Sequence, residues 1–455
     1  MKENPYEKIE LVIAISVCKL LIRIGRLVGK KGTSKPGEIA LKICPDILTM
    51  LSGQVKGDII AVCGTNGKTT TNNMIYSYLK ANGKNVVCNN VGANMIYGVC
   101  CAFAAKASLL GKLDADYACL EIDEASAVKI FKFFSPDILV ITNLFRDQLD
   151  RYGEIDLTVD YLKRALDLAP HTKLILNGDD PVCAQFGRDG KRECYYFSIS
   201  QKALKTEEES SEGRFCPICG NKLDYNYYHY SQLGDYACNK CGFKRPEPHF
   251  AVNNVCLENG MRFELSYFDD KVQFDINYRG FYNIYNVAVS YSAARLALGK
   301  LENYRDVLAQ YKPQTGRMEE FNIGKKVILN LSKNPAGFNQ GIATVLEDST
   351  FNKVVLIGIN DNAGDGKDIS WLWDVDFEKL ETADVSRYIL CGMRADDLAL
   401  RLKYGGIEED KMKKFSDLKD AAEAINDGNE NICYALVNYT VVFQMQEILS
   451  GLRRD

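Results

Sequence analysis

Short apolar runs alternate with helically spaced segments along most of the chain. DIIAVCG (Asp58–Gly64) is apolar and ends in glycine, and KTTTNNMIYSYLKANG follows with helical spacing and a stop at Gly83. The pattern predicts strand, loop and helix in that order. NVVCNN, DYACLEID and DILVITN read as further buried strands, and KLILNGDDP (Lys173–Pro181) continues the series. Such alternation predicts an α/β fold built on a parallel sheet.

The pattern changes after residue 200. Residues 201–215 are polar and charged, as in an insertion or hinge, and a cysteine-rich module runs from there to about Pro248. RFELSYF and KVQFDINY alternate as antiparallel strands do, and YNIYNVAVSYSAARLALG is helical. YKPQTGRMEEF carries Pro313 and Gly316 and reads as a linker. From about Phe321 the α/β pattern restarts with KVILNLS, VVLIGIN, YILCG and CYALVN. The expected organisation is an N-terminal helical segment (1–45), a central domain (46–317) with an insertion at 213–248, and a C-terminal α/β domain (318–455).

Composition narrows the classes. A chain of 455 residues is too long for one ordinary domain. A formal net charge of −4 disfavours a sequence-independent nucleic-acid binder. Most of the 16 cysteines stand singly in apolar runs, as at Cys63, Cys88 and Cys119, which suits small buried side chains in a reducing cytoplasm. Near the N-terminus, LVIAISVCKLLIRIGRLVGKK is interrupted by Lys19, Arg23 and Arg26, so its apolar part is too short to span a bilayer. Three readings stay open there: a helix packed on the body, a basic amphipathic helix resting on a membrane face, or a cleaved signal peptide.

CGTNGKTTT (Cys63–Thr71) falls at the strand–helix junction. A glycine loop there lets backbone N–H groups wrap a phosphate, with Lys68 reaching the terminal phosphates of ATP and the Thr69 hydroxyl facing Mg²⁺. Val62 stands where the full Walker spacing has glycine, so this is a variant loop.

The loop resembles that of the Mur ligase and folylpolyglutamate synthase superfamily, and further segments match in order. LEIDEAS (Leu120–Ser126), ITNLFRDQLDRYG (Ile141–Gly153), YNIYN (Tyr282–Asn286) and GRMEEF (Gly316–Phe321) each resemble a superfamily segment. The resemblance implies nucleotide contacts from Gly64, Thr65, Asn66, Gly67, Lys68, Thr69 and Thr70, and from Asn283, Asn286 and Arg317. It implies Mg²⁺ held by Thr69 and Glu121, with Lys68 and Glu121 catalytic. Helix capping is the alternative role for Asn283 and Asn286, and Lys333 is a further cation that could approach the phosphates. Two departures stand out. Gln148 replaces a metal-binding histidine, which questions a second metal site. Only about 55 residues precede the loop, too few for the domain that holds the UDP part of the usual substrates.

Cys216-x₂-Cys219 and Cys238-x₂-Cys241 have the spacing of a Cys₄ zinc ribbon. Four sulfurs leave no open position, so a Zn²⁺ there would be structural. His229, between the pairs, reads as an exposed loop residue rather than a ligand.

NDNAGDGKDISWLWD (360–374) gathers Asp361, Asp365, Asp368 and Asp374 with both tryptophans. A Mg²⁺ loop, an N-cap with Asx-turns and a catalytic carboxylate site are its three readings. Together with the ribbon and the missing UDP domain, the segment resembles the MurT family, the synthetase subunits of lipid II isoglutaminyl synthase. That resemblance implies amidation of the D-glutamate α-carboxylate in the lipid II stem peptide, with nitrogen from a separate class I glutaminase subunit of the GatD type. A glutaminase needs a cysteine nucleophile and a histidine base, and none of His171, His229 and His249 sits in such a motif. The resemblance places the third member of the partner's triad at Asp368, with Asp365 as the alternative. The competing functions are an amino-acid ligase of the folylpolyglutamate type, a zinc-ribbon ATPase acting on nucleic acid, and a non-catalytic scaffold that keeps a nucleotide site, the last disfavoured by intact Lys68, Thr69 and Glu121.

Overall fold

The computed structural model describes residues 5–27, 32–89, 93–146, 155–204, 213–257, 260–276, 280–311, 316–362 and 364–453. Two compact units emerge. One comprises 1–144, 156–276 and 283–311, and the other 145–155, 277–282 and 312–455.

The first unit opens with three helices, α1 (Pro5–Leu27), α2 (Lys35–Ile43) and α3 (Ile47–Ser52). Next come β1 (Ile59–Cys63), α4 (Lys68–Ala81), β2 (Val86–Cys88), α5 (Ile96–Lys106), β3 (Tyr117–Glu121), α6 (Glu124–Ile130), β4 (Ile138–Ile141), β5 (Lys173–Asn177) and β6 (Cys194–Ile199). The cysteine-rich hairpin is β7 (Asp224–Tyr230) and β8 (Leu233–Ala237), followed by β9 (Phe250–Cys256), β10 (Met261–Tyr267) and β11 (Asp270–Ile276). Nine strands form one sheet in the order β11-β10-β9-β6-β5-β4-β1-β3-β2.

β1 pairs in parallel with β3 and β4, and every residue of β1 and β4 is buried. Uniformly apolar strands belong where both sheet faces are covered. Val62 is one of these buried strand residues, so the glycine loop starts only at Gly64. β10 alternates inward and outward and pairs antiparallel with β9 and β11, extending the same sheet at one edge. α1 packs against α2 and α5. α2 and α5 approach so closely that a Cβ on Gly37 would meet the Tyr97 carbonyl at 1.9 Å.

The second unit is a six-stranded sheet. Its strands are β12 (Glu319–Asn322), β13 (Lys326–Leu331), β14 (Lys353–Gly358), β15 (Val385–Cys391), β16 (Met412–Phe415) and β17 (Ile432–Val437). The order is β12-β13-β17-β14-β15-β16, with β12 antiparallel and the rest parallel. Helices cover both faces, giving one core around Phe338, Trp371 and Phe377 and another around Phe321, Val441 and Met445. Among the described residues, no helix is long and apolar enough to cross a membrane.

Candidate active site and metal centre

The glycine loop from Gly64 to Gly67 joins β1 to α4. Gly64 and Gly67 have φ of 124° and 84°, in the region that favours glycine. Space excludes a side chain as well: a Cβ would lie 2.2 Å from Thr142 Oγ1 at Gly64 and 2.2 Å from Asn286 Oδ1 at Gly67. The loop is braced by the turn after β4. Thr65 N donates to the Asn143 carbonyl (2.8 Å), Asn66 N to Asn143 Oδ1 (2.9 Å), and Thr142 Oγ1 to the Asn66 carbonyl (2.7 Å). Thr65 and Thr70 are buried, and Asn66 and Thr69 are half-buried.

Lys68 is buried at the start of α4. Its ammonium donates to the Gly64 carbonyl and to Glu124 Oε1, the latter at 3.1 Å. The Gly64 N–H also donates to Glu124 Oε1, at 2.5 Å. A protein carboxylate therefore holds a cation and a backbone N–H that a phosphate would use. Burial pushes the Glu124 carboxyl up, with Lys68 opposing that shift. Next to it, Thr69 Oγ1 donates to Glu121 Oε2 (2.7 Å), and Asn94 Nδ2 donates to Glu121 Oε1 (2.9 Å). The hydroxyl and carboxylate form a hard oxygen pair suited to a magnesium ion.

Asn283 and Asn286 lie in the first turns of the Tyr282–Leu298 helix and bond to each other, Asn286 Nδ2 to Asn283 Oδ1 at 3.0 Å. Asn286 touches the loop at Gly67. The first unit thus brings residues 64–70, Glu121, Asn283 and Asn286 together. Arg317, Lys333 and Asp368 belong to the second unit. Arg317 is half-buried in the turn before β12. Gln148 lies outside the described residues, as does the tail of the Ile141–Gly153 segment.

The four cysteine sulfurs lie within 4.8 Å of one another. Two separations, Cys216–Cys241 and Cys219–Cys238, are 3.5 and 3.6 Å. Zn–S bonds of about 2.3 Å in a tetrahedron imply sulfur edges of about 3.8 Å, so the cluster is compatible with zinc. Each knuckle closes through its glycine, Gly220 N on the Cys216 carbonyl (2.9 Å) and Gly242 N on the Cys238 carbonyl (3.0 Å). The backbone N–H of Cys241 helps pull the Cys238 thiol down to about 7, toward the thiolate a metal needs. Among the described residues this is the only such cluster of metal-type ligands, so the acidic loop does not form one.

That loop follows β14. Asp365 is buried, and its oxygens accept the Thr440 N–H (2.8 Å), the Thr440 hydroxyl (2.5 Å) and the Asn362 N–H (3.2 Å). Asp361 is buried against Arg394 at 2.7 Å. Asp374 pairs with Arg146 at 3.1 Å. Asp368 is only half-buried and makes an Asx-turn, accepting the Ser370 N–H at 2.8 Å. Bonds from Ser370 hold its carboxyl below the usual range. The following SWLWD turn is mixed: Trp371 is buried and Trp373 is exposed.

Residues 62–238 match the Mur ligase middle domain, and residues 331–442 match the MurT ligase C-terminal domain. The lipid II isoglutaminyl synthase (glutamine-hydrolyzing) subunit MurT of Staphylococcus aureus (strain COL) is 37% identical over 440 residues, 96% of this chain and 97% of that protein. The chain belongs to the MurT family. The MurT subunit of Streptococcus pneumoniae is 34% identical over 95% of this chain and 94% of its own length. Among solved structures, a pseudomurein peptide ligase type C from Methanothermus fervidus superposes with a TM-score of 0.69 at 24% identity, covering 89% of this chain and 80% of that one. MurF ligase from Thermotoga maritima, in complex with ADP, gives 0.64 at 15% identity, covering 92% and 84%. At those identities the likeness is one of fold.

Within this MurT-family chain, two features escaped the sequence reading. Glu124 sits inside the quoted LEIDEAS segment but drew no role. Asp123 caps α6 by accepting the Ser126 N–H (3.0 Å), and this sets Glu124 on the first turn, against the loop. The available signal was a buried lysine in need of a counter-charge. The second feature corrects the expectation for His229, which is 3% exposed rather than at the surface. Its Nδ1 lies 2.6 Å from the Tyr285 hydroxyl and its Nε2 2.9 Å from the Gln201 carbonyl. Tyr285 donates to Asp179 Oδ2 (2.8 Å), and Arg245 Nε donates to Asp179 Oδ1 (2.6 Å). The GDDP turn after β5 thereby anchors the ribbon hairpin to the main sheet.

Proposed function

We propose that this chain is the synthetase subunit of a glutamine-dependent amidotransferase. It would convert the D-glutamate α-carboxylate of the lipid II stem peptide to the amide, at the expense of ATP. The observation that carries the reading is membership of the MurT family over 96% of the chain, together with an intact Lys68, Thr69 and Glu121 in one loop site.

The substrate carboxylate attacks the γ-phosphorus of ATP, the bond to the ADP oxygen breaks, and an acyl phosphate forms. Ammonia then adds to the acyl carbon, phosphate leaves, and the surplus proton passes to solvent. Without activation the leaving group would be oxide. Lys68 and the loop N–H groups offset charge on the transferring phosphoryl group. Magnesium, held by Thr69 and Glu121, would supply further charge neutralisation there. Asn283, Asn286 and Arg317 are proposed nucleotide contacts. Zinc on Cys216, Cys219, Cys238 and Cys241 would be structural, since four thiolates leave no open position.

Ammonia comes from a GatD-type glutaminase subunit. Asp368 is the carboxylate offered to that partner's cysteine–histidine pair, where it would fix the imidazole tautomer. Its half-exposure supports the assignment, whereas Asp365 is consumed by Thr440 and Asn362.

The test is ATP-dependent amidation of lipid II with ammonium alone, with glutamine, and with glutamine plus the glutaminase subunit. Ammonium is expected to work without the partner, and Asp368→Asn to abolish only the glutamine-driven reaction. Absence of amide under every condition, with ADP release stimulated by a free amino acid, would replace this reading by an amino-acid ligase.

A further inference from the structure

α1 has two apolar faces. One carries Leu11, Ala14, Ile15 and Cys18, all buried at 4% exposure or less. The other carries Tyr6, Ile9, Ile13, Leu20, Ile24 and Leu27, exposed by 47% to 86%. At 100° per residue these six side chains fall within an arc of about 60°, one stripe running about 30 Å along the helix. A solvent-facing stripe of that length has no use in a monomer in water. Leu109 and Leu110 are also exposed, in a loop that meets the helix where Gly111 approaches Leu11.

Charge identifies the occupant. Lys8, Lys19, Arg23 and Arg26 all project on one flank of the stripe, and Arg23 and Arg26 are exposed. Lys19 is anchored to the Ala105 carbonyl at 2.9 Å, which ties the helix to α5. An apolar stripe with cations along one flank, and the exposed Glu10 on the other, suits a helix lying in the plane of a lipid–water interface with its cationic side toward anionic headgroups. With no helix able to span a bilayer among the described residues, surface contact is the remaining mode of membrane engagement for this element.

We infer that α1 docks the protein on an anionic membrane surface, the stripe entering the acyl boundary while Arg23 and Arg26 meet lipid phosphates. The inference rests on the proposed lipid-linked substrate, for which surface docking places the enzyme at its substrate's own interface.

The test uses the zinc-loaded full-length chain and vesicles of mixed phosphatidylglycerol and phosphatidylcholine without lipid II. Wild type is expected to co-sediment with them, and less so at raised salt or with pure phosphatidylcholine. Ile13→Ser combined with Leu20→Ser should weaken binding by about tenfold or more. Arg23→Gln combined with Arg26→Gln should weaken it by about tenfold. Because all four side chains face solvent or sit at the surface, thermal unfolding serves as the control for folding. With the glutaminase subunit, both double variants should amidate detergent-dispersed lipid II at the wild-type rate but vesicle-embedded lipid II more slowly. Failure of wild type to bind, or equal binding by both variants, overturns the inference. So does a dimer in sedimentation that the Ile13→Ser, Leu20→Ser variant dissociates while no vesicle binding occurs. Vesicle binding without any amidation refutes the enzymatic reading and leaves the docking surface standing. Amidation without vesicle binding does the reverse.

Discussion

The Glu124 carboxylate lies 3.1 Å from the Lys68 ammonium and accepts the Gly64 N–H at 2.5 Å, inside the loop proposed to hold ATP phosphates. An incoming phosphate must share or take over both groups. It also raises the cost of charge on Glu124, whose carboxyl burial already pushes up. Nucleotide binding should therefore take up protons. The phosphate raises the carboxyl further, so the complex holds more protons than the free protein at pH values between the carboxyl's midpoint in the free protein and its higher midpoint in the complex. Titration calorimetry in buffers of different ionisation enthalpy measures this uptake. Glu124→Gln should remove it and tighten ATP binding by about tenfold, as one like charge leaves the site.

Gly67→Ala should damage the loop by two routes. Its φ of +84° disfavours any side chain, and the new Cβ would sit 2.2 Å from Asn286 Oδ1. Strain of about 1–3 kcal/mol in the loop weakens ATP binding by about tenfold or more. Asn286→Ala removes the obstructing oxygen but not the φ penalty. The double variant should then lose less than the sum of the singles, a coupling that a double-mutant cycle on ADP affinity reads out.

The two aspartates of the late loop should separate cleanly. Asp365→Ala strips acceptors from the Thr440 N–H and hydroxyl and from Asn362, costing about 1–3 kcal/mol of local stability. Amide exchange around residues 360–366 and 438–441 should speed up. Asp368→Ala loses only the Ser370 turn contact, about 1 kcal/mol, and should leave that exchange nearly unchanged.

Metal removal should unfold the ribbon alone. Chelation, or Cys238→Ser, deprives the hairpin of its cross-link and leaves it the small hydrophobic cluster around Leu223, Tyr236 and Phe243 and the anchor on the GDDP turn through His229 and Arg245. Amide protection should fall most at the two knuckles and in the adjoining ends of β7 and β8, and less near His229. β1, β3 and β4 belong to the separate nine-stranded sheet and should keep their protection. Native mass spectrometry should find one zinc per chain before chelation.

Much of this was legible from local pattern. DIIAVCG and DILVITN announced buried parallel strands because uniform apolarity over so few residues fits a sheet covered on both faces. The alternation in RFELSYF announced its antiparallel pairing for a similar reason. What the pattern could not convey was tertiary pairing of polar groups. His229 sits in an aromatic, polar stretch that reads as surface, yet Tyr285 and Asp179, both distant in sequence, meet its ring and bury it. Glu124 was hidden in the same way, since its partner Lys68 is 56 residues upstream. The exposed stripe of α1 was ambiguous because both faces of that helix are apolar, and only the packing of α2 and α5 decides which one is left open.

Glu430 is buried and accepts from Lys325 Nζ (2.7 Å), Arg387 Nε (2.8 Å) and Arg387 Nη2 (3.1 Å). Burial by itself would raise the carboxyl, but the bonds from Arg387 and Lys325 override it and hold it at about 2. A carboxyl depressed on folding stabilises the native state above its unfolded value of about 4.3, and that contribution fades as pH falls toward 2. Glu430→Gln leaves Lys325, itself buried, with two carbonyls and no counter-charge. It should cost about 3 kcal/mol at neutral pH. Because the wild-type advantage is lost by protonation, the gap between the two proteins should narrow steadily between pH 4.3 and pH 2. Urea-dependent amide exchange in β13 and β17 at several pH values measures the gap in this unit without requiring the whole chain to unfold in one step. A gap that stays constant over that range would mean that the ion pairs do not set the strength of this corner.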